Sequence, residues 1–189
     1  KGGILGSENL NCELQKIFNP NPKQSVKRGL YTFSLYDKVV HIKNENMPAC
    51  NPDDFKKGVE PTEQRIFNGM IGLIFRIDPQ EEECFVYYPN ENVVVKYGFD
   101  TLADYLSLAY ALTIHKTQGM EYECVIIPVS YSHYIMHNRK LLYTAVTRAK
   151  DICIAIGESP AFKGACKRVD NRQKRDTLLP LLKNQDLAT

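Results

Sequence analysis

Apolar residues recur at helical spacing in two stretches of the chain. In SENLNCELQKIF, residues 7–18, they fall three and four positions apart, which predicts a helix with Ser7 as its N-cap. The NPNP sequence that follows predicts the end of this helix, because proline cannot continue the helical hydrogen bonds. RKLLYTAVTRAK, residues 139–150, predicts a second helix. Its core-facing stripe consists of Leu141, Leu142, Ala145, Val146 and Ala149.

Between residues 30 and 98, short β-branched and aromatic runs alternate with turn signals. This texture predicts four or five short strands that form a small antiparallel barrel. Asn68 and Gly69 form the dipeptide that most strongly favours a two-residue hairpin turn. The polar, proline-containing stretch 44–64 is interpreted as a loop.

Beyond residue 100 the pattern becomes α/β. A helix-like stretch leads into a strand, AYALT (109–113), and a polar loop follows. Two further runs, CVIIPV (124–129) and DICIAIG (151–157), are almost continuously apolar. Such runs are typical of strands that are covered on both faces.

Composition narrows the possible classes of protein. The chain has 189 residues, of which 43% are hydrophobic, and a formal net charge of +2, so a nucleic-acid site would be a local patch. No apolar run reaches the roughly 18 residues that a membrane span needs, and no signal-peptide pattern is present. We therefore expect a cytoplasmic protein that does not bind membranes.

Cysteine and histidine spacing gives little sign of a metal site. Six scattered cysteines without a CxxC pair favour reduced, structural thiols, and Cys124 and Cys153 are expected to pack as small apolar residues. His133 and His137 are four residues apart and would supply only half of a zinc site. We expect no bound metal ligated by this chain.

Two polar segments carry candidate chemistry. Arg148 shares a predicted helix face with Thr144 and Thr147, which would give a guanidinium group room to contact an oxyanion. The alternative is that this cation only interacts favourably with the helix dipole. In the loop 113–121, hydroxyl and cationic groups near Gly119 could contact phosphates, although a solvated connection has the same composition.

Aromatic residues in the predicted barrel allow two interpretations. Tyr87, Tyr88 and Tyr97, with Lys96 nearby, could stack on nucleic-acid bases. Packing of a sheet face is the simpler role for strand tyrosines and is favoured.

Taken together, YALTIHKTQGMEYECVIIPV and LLYTAVTRAKDICIAIG resemble motifs V and VI of superfamily-one DNA helicases, in the RecD/TraA branch. GILGSENLNCELQKIFNP is similar to the segment around motif IV of that family. DKVVHIKN and IFNGMIGLI resemble its GDKV and NGDIG segments, which belong to an inserted barrel. Two positions depart from the family: Tyr36 replaces a turn glycine, and Met70 replaces an acidic residue.

The resemblance implies a fold and a domain plan. The fold class would be α/β: a second RecA-like domain of the P-loop NTPase type that lacks the P-loop itself, with an inserted small Src-homology-like antiparallel β-barrel. The expected domains are a first RecA-like segment (1–29), the barrel (30–100), the rest of the RecA-like domain with motifs V and VI (101–160) and a basic helical tail (161–189).

The resemblance also assigns roles to residues. Arg148 would be an arginine finger to the γ-phosphate of ATP, with Gln118 as a second catalytic residue. Gly119 and Glu121 would lie on the nucleotide side of motif V. The residues expected to contact single-stranded DNA are Thr113, His115, Lys116 and Thr117. Asn11 and Gln15 fall in the region of motif IV.

The implied function is the C-terminal motor half of an ATP-dependent DNA helicase acting in repair or recombination. No GxxxxGK[ST] sequence occurs, so ATP and Mg²⁺ would be held mainly by an N-terminal RecA-like domain of a longer parent, and this chain alone would be inactive. The expected partners are single-stranded DNA, that domain and RecB- or RecC-like subunits. The alternative is a non-catalytic module whose barrel binds nucleic acid or protein.

Overall fold

The computed structural model describes residues 5–117, 119–131 and 138–168. The chain divides into two compact units, Lys1–Lys116 and Thr117–Thr189, each with its own packing.

The first unit begins with helix α1, Ser7–Phe18, which has the bounds that the apolar spacing predicts. Its N-cap is Gly6, in an extended conformation, so the prediction of Ser7 as the N-cap is wrong. Ser7 is the first helical residue. The helix ends before the NPNP sequence, where the backbone N–H of Asn19 donates to the carbonyl of Gln15 at 2.7 Å.

In the described part of the first unit, nine strands and two short helices follow α1. The strands are β1 Ser25–Arg28, β2 Tyr31–Ser34, β3 Lys38–His41, β4 Glu45–Cys50, β5 Thr62–Ile66, β6 Ile71–Asp78, β7 Glu83–Tyr88, β8 Val93–Gly98 and β9 Leu106–Leu108. The helices are α2 Pro52–Lys56 and α3 Leu102–Tyr105. Strands β1 and β2 form a two-stranded ribbon, and the other seven form one antiparallel sheet in the order β5-β4-β8-β7-β6-β3-β9. The prediction of four or five strands is therefore too low.

Strand β4 lies in the stretch that was expected to be a loop. Met47 and Ala49 are buried, and the residues between and before them face outward or are partly covered. Pro48 is opposite Glu63 of β5, and it lies outside the two residues of β4 that pair with β8, Ala49 and Cys50. The strand was missed because the polar and proline residues of this stretch are typical of a loop, although buried and exposed positions alternate along part of it.

The Asn68-Gly69 pair makes a turn but not a hairpin. Gly69 has a positive φ of 100°, and Met70 N–H donates to Phe67 O at 3.4 Å, so the chain turns here. The flanking strands do not pair with each other, however: β5 pairs with β4, whereas β6 pairs with β3 and β7. Long-range pairing outweighs the local hairpin preference.

The main core of the first unit is formed by side chains of the seven-stranded sheet together with β2, and Cys50, Phe85 and Val94 form a second, smaller cluster. The largest fully buried side chains include Tyr88, Tyr97 and Phe33. Tyr88 and Tyr97 therefore cannot stack on bases, as the packing interpretation expected, whereas Tyr87 is partly exposed. The mixed α/β class is observed. Closure of the sheet into a barrel stays a prediction, since β5 and β9 form its two edges in the described part of the chain.

The second unit contains β10 Tyr122–Val129, α4 Arg139–Val146, β11 Ala149–Gly157 and α5 Ser159–Lys167. Strands β10 and β11 are parallel, with Ile126 opposite Ile154. Helix α4 ends at Val146, four residues before the predicted end, because β11 already begins at Ala149. The strand predicted at 109–113 is also misplaced, since β9 spans Leu106–Leu108.

Burial on both faces of β10 and β11 was predicted and is wrong for this chain. Ile126, Ile152, Ile154 and Ile156 are each between 43 and 59% exposed, and Cys124 and Cys153 are exposed as well. Within the described residues the parallel sheet has only these two strands, so its layers are incomplete. The small core of this unit consists of Ile127, Val129, Leu142, Ala145, Ala161 and Ala165.

All six cysteines have free thiols. None of the helices in the described part of the chain is long and apolar enough to cross a membrane. His133 and His137 lie outside the described residues, as does the predicted tail beyond Arg168.

Candidate functional site

The polar loop begins with a short 3-10 turn, Ile114–Thr117. Thr113, His115 and Lys116 are exposed, and Lys116 N–H donates to Thr113 O at 2.9 Å. Thr117 is partly buried, and its carbonyl accepts from Met120 N–H at 3.1 Å. Gln118 lies outside the described residues. The turn thus presents two cationic or polar side chains and a hydroxyl to solvent, as a phosphate-contacting loop requires.

Gly119 has a backbone conformation that favours glycine. Its φ is +82°, and a Cβ atom built there would meet no atom within 4 Å. The restriction is therefore conformational rather than steric, because L-residues rarely adopt positive φ. Open space at this position is also compatible with close approach of a ligand to the backbone.

Glu121 forms an ion pair with Lys150. The Lys150 Nζ to Glu121 Oε2 distance is 3.4 Å, and the two side chains are 56% and 62% exposed. A pair this exposed contributes little to stability, so Glu121 is readily available for other contacts.

Arg148 is held by three hydrogen bonds to its own unit. Nε donates to Thr144 O at 3.2 Å, and Nη2 donates to Thr147 Oγ1 at 3.4 Å. Nη1 donates to Met120 O at 3.0 Å. The guanidinium is therefore directed toward the end of the HKTQG segment, beside the two threonines that share the predicted helix face.

The charge of Arg148 is not neutralised in the described part of the chain. All three acceptors are uncharged, and no carboxylate there pairs with the guanidinium. Arginine has five N–H donors, so two have no acceptor among the described residues. The contact with Thr144 O, a carbonyl of the last turn of α4, also fits the simpler role of a cation at a helix C-terminus.

Arg148 lies at the amino ends of the two parallel strands. Its carbonyl accepts from Tyr122 N–H at 2.8 Å, which joins the start of β10 to the start of β11. The strand that precedes the polar loop, β9, belongs to the antiparallel sheet and not to this parallel one.

The motif IV residues are engaged inside the first unit. Asn11 is 2% exposed and makes two hydrogen bonds with the backbone of Ala111, at 2.9 and 2.8 Å. Gln15 donates to Thr32 O at 2.7 Å and to the carboxylate of Asp37. Asp37 was not singled out from the sequence. The available signal was an acidic residue directly before a β-branched run, DKVVHIK.

Two family models match the chain. Residues 10–88 match the SH3 domain of ATP-dependent RecD-like DNA helicases, and residues 108–156 match the UvrD-like helicase C-terminal domain. The ATP-dependent RecD2 DNA helicase of Deinococcus radiodurans is 32% identical over 177 residues, which cover 94% of this chain and 21% of that protein. The uncharacterized protein MJ1519 of Methanocaldococcus jannaschii is 27% identical, over 81% of this chain and 14% of its own length.

Residues 108–156 thus match a UvrD-like helicase C-terminal domain, and residues 10–88 match a RecD-like SH3 domain. Because these matches and the identity to RecD2 point to the same branch, the chain is similar to part of a RecD-type helicase, as motifs V and VI predicted. It spans about a fifth of the length of RecD2 and less of MJ1519.

Proposed function

We propose that this chain is the C-terminal motor part of an ATP-dependent DNA helicase that couples ATP hydrolysis to movement along single-stranded DNA and to duplex unwinding. Its second unit would be part of a RecA-like domain, and its seven-stranded sheet would form the small Src-homology-like barrel. An N-terminal RecA-like domain of the parent would supply the P-loop, because no such sequence occurs here.

The observation that carries the proposal is the state of Arg148. Its charge is balanced by no carboxylate in the described residues, and two of its five N–H groups have no acceptor there. A structural arginine is usually neutralised or fully engaged by its neighbours. A partly buried guanidinium with two spare donors suits a phosphate group, to which arginine can donate two hydrogen bonds.

The residues present therefore fit one side of a nucleotide site. When bound, ATP with Mg²⁺ supplies a γ-phosphoryl group whose developing negative charge needs stabilisation during transfer to water. Arg148 would donate to its oxygens, with Thr147 Oγ1 and Thr144 O fixing the guanidinium plane. Gln118, Gly119 and Glu121 would lie on the same side of the nucleotide.

The exposed turn before Gly119 would contact the DNA. Thr113, His115, Lys116 and Thr117 offer hydroxyl, imidazole and ammonium donors within five consecutive residues. Contacts of this kind with phosphates are independent of base sequence, which suits a motor that moves along any strand. We further propose a cytoplasmic role in DNA repair or recombination, with RecB- and RecC-like subunits as candidate partners.

The test is Arg148→Ala in the full-length parent, with Arg148→Lys as a second variant. We expect kcat for DNA-stimulated ATP hydrolysis to fall by about a thousandfold or more, while affinity for single-stranded DNA is largely kept. Lysine should restore little, because a point charge cannot reproduce the two-donor geometry. Lys140→Ala removes an exposed cation from the same helix and serves as the matched control.

The same experiment distinguishes the motor from the alternative, a non-catalytic module that binds nucleic acid or protein. A non-catalytic binding module would show no ATPase activity to lose, or equal activity for Arg148→Ala and Lys140→Ala. Either outcome would refute the motor assignment. The isolated 189-residue chain is expected to hydrolyse no ATP, which a direct phosphate-release assay can check.

A further inference from the structure

Asp37 is a buried carboxylate that binds four donors. It is fully buried, and each oxygen accepts two hydrogen bonds. Oδ1 accepts from Asn19 Nδ2 at 2.8 Å and from Tyr110 Oη at 3.0 Å. Oδ2 accepts from Ser34 N at 2.7 Å and from Gln15 Nε2. No cation pairs with it among the described residues, so neutral donors alone satisfy the charge.

The donors come from three separate segments of the first unit. Gln15 and Asn19 belong to α1 and its C-cap, and Ser34 closes the turn that leads into β3. Tyr110 lies just after β9, three residues before Thr113. One side chain therefore joins the helix, the entrance of the sheet and the segment that leads into the polar loop.

Further contacts link α1 to residues 109–111. Asn11 clamps the backbone of Ala111 from both sides, and the Phe18 ring stacks on Tyr110 with 5.9 Å between centroids and an angle of 5°. These contacts are made by Asn11, Gln15, Phe18 and the C-cap residue Asn19. They are four, three and one positions apart in sequence, so they share one face of the helix. Ala109 N–H in turn donates to Lys38 O at 2.8 Å.

We propose that Asp37 is a positioning residue that makes α1, the seven-stranded sheet and residues 109–111 move as one rigid body. The start of the polar loop is then displaced whenever the sheet is displaced. The rigid-body role of Asp37 is independent of the proposed function, whereas its consequence for movement along DNA rests on that function. An apolar residue in this place would leave the four donors without an acceptor, which is costly for buried groups. An acceptor with two oxygens can instead collect donors from three segments.

The first test measures rigidity without any catalytic assay. In the 189-residue chain, Asp37→Asn replaces an acceptor with an NH₂ group that faces two donors. Amide hydrogen exchange at the end of α1 and at residues 109–111 is expected to accelerate together, by about tenfold or more. Asp53→Asn, an exposed acid on α2, is the matched control and should leave these amides unchanged. Acceleration in α1 alone would overturn the proposal.

Tyr110→Phe is the milder variant in case Asp37→Asn does not fold. It removes one of the four hydrogen bonds and keeps the ring stack with Phe18. Exchange should accelerate at residues 109–111 and, to a smaller extent, in α1. If α1 is unaffected, the carboxylate does not join the two segments and the inference is wrong.

The second test uses the full-length parent and separates coupling from catalysis. For Asp37→Asn we expect the distance moved along DNA per ATP to fall by about threefold or more, with kcat and KM for ATP close to wild type. A proportional loss of movement and ATPase would overturn the positioning role. If the wild-type parent hydrolyses no ATP with DNA present, the proposed function fails, and the exchange result still decides whether Asp37 unites the three segments.

Discussion

His41 makes the stability of the first unit dependent on pH. Its side chain is fully buried, and Nδ1 lies 2.9 Å from Tyr97 Oη, which is 2.7 Å from Tyr88 Oη. The imidazole also stacks on Tyr105, with 6.0 Å between ring centroids. Nε2 has no hydrogen-bond partner among the described residues. An imidazolium ion in this place would leave its charge unsolvated.

Burial therefore lowers the pKa of His41 to about 4, against the opposing effects of the Lys43 backbone and of the Glu45 charge. The unfolded chain has the ordinary value of 6.5. Since the unfolded state binds the proton more tightly, the stabilising effect of neutral His41 is complete above pH 6.5 and is lost as the pH falls toward 4. Linkage gives a loss of about 2 kcal/mol between about pH 7.5 and about pH 5.

The assay is urea unfolding of the chain at these two pH values, for wild type and His41→Gln. Glutamine removes the titrating group and keeps a polar atom near Tyr97, so the variant should lose about 2 kcal/mol less than wild type on acidification. His115→Gln, at an exposed histidine, should retain the wild-type dependence. Equal losses for wild type and His41→Gln would refute the reasoning, because carboxylates would then account for the whole effect.

Two further changes test particular features of the fold. Tyr36 stands where the family has glycine, and it has a φ of +71° and a side chain that is 61% exposed. Tyr36→Gly should therefore leave the free energy of unfolding within about 1 kcal/mol of wild type. Tyr36→Val should be clearly less stable, because a β-branched residue is strained at positive φ. Equal urea midpoints for both variants would contradict the strain. Ile154→Lys places a charge on the exposed face of β11 and should reduce self-association in light scattering without lowering the midpoint. A large fall in the midpoint would show that this face is covered.

Local patterns predicted the elements whose stability is local or strongly periodic. Helix α1 and the bodies of β10 and β11 follow from spacing and apolar runs alone. The missed features depend on distant residues. Strand β4 exists because β5 and β8 flank it, and the Asn68-Gly69 turn joins strands that pair elsewhere. No window of ten residues contains that information.

Burial was the least predictable property of the second unit. The apolar runs of β10 and β11 are typical of a covered parallel sheet, yet the face that carries Ile126 and Ile154 is open in the described residues. An apolar run indicates that a strand can be covered on both faces, but it does not indicate which residues supply that cover.

For the candidate site, sequence motifs identified residues but not their contacts. The grouping of Thr144, Thr147 and Arg148 is observed, although Arg148 lies in the turn after α4 rather than within the helix. Asp37 was not identified as a candidate because a buried acid with only neutral donors has no local signature. Its four partners are separated from it by 3 to 73 positions in the chain.

The polar loop runs between two anchors, one in each unit. Residues 109–111 are fixed by Lys38, Asn11 and Asp37, whereas Met120 and Tyr122 are fixed by Arg148. The second anchor uses the guanidinium and the backbone carbonyl of one residue, whereas the first combines a backbone bond, an amide clamp and a carboxylate. Under the proposed function, the two spare N–H groups of Arg148 would bind the phosphate while Nη1 keeps its bond to Met120 O. Arg148 would then connect the nucleotide to the far end of the loop.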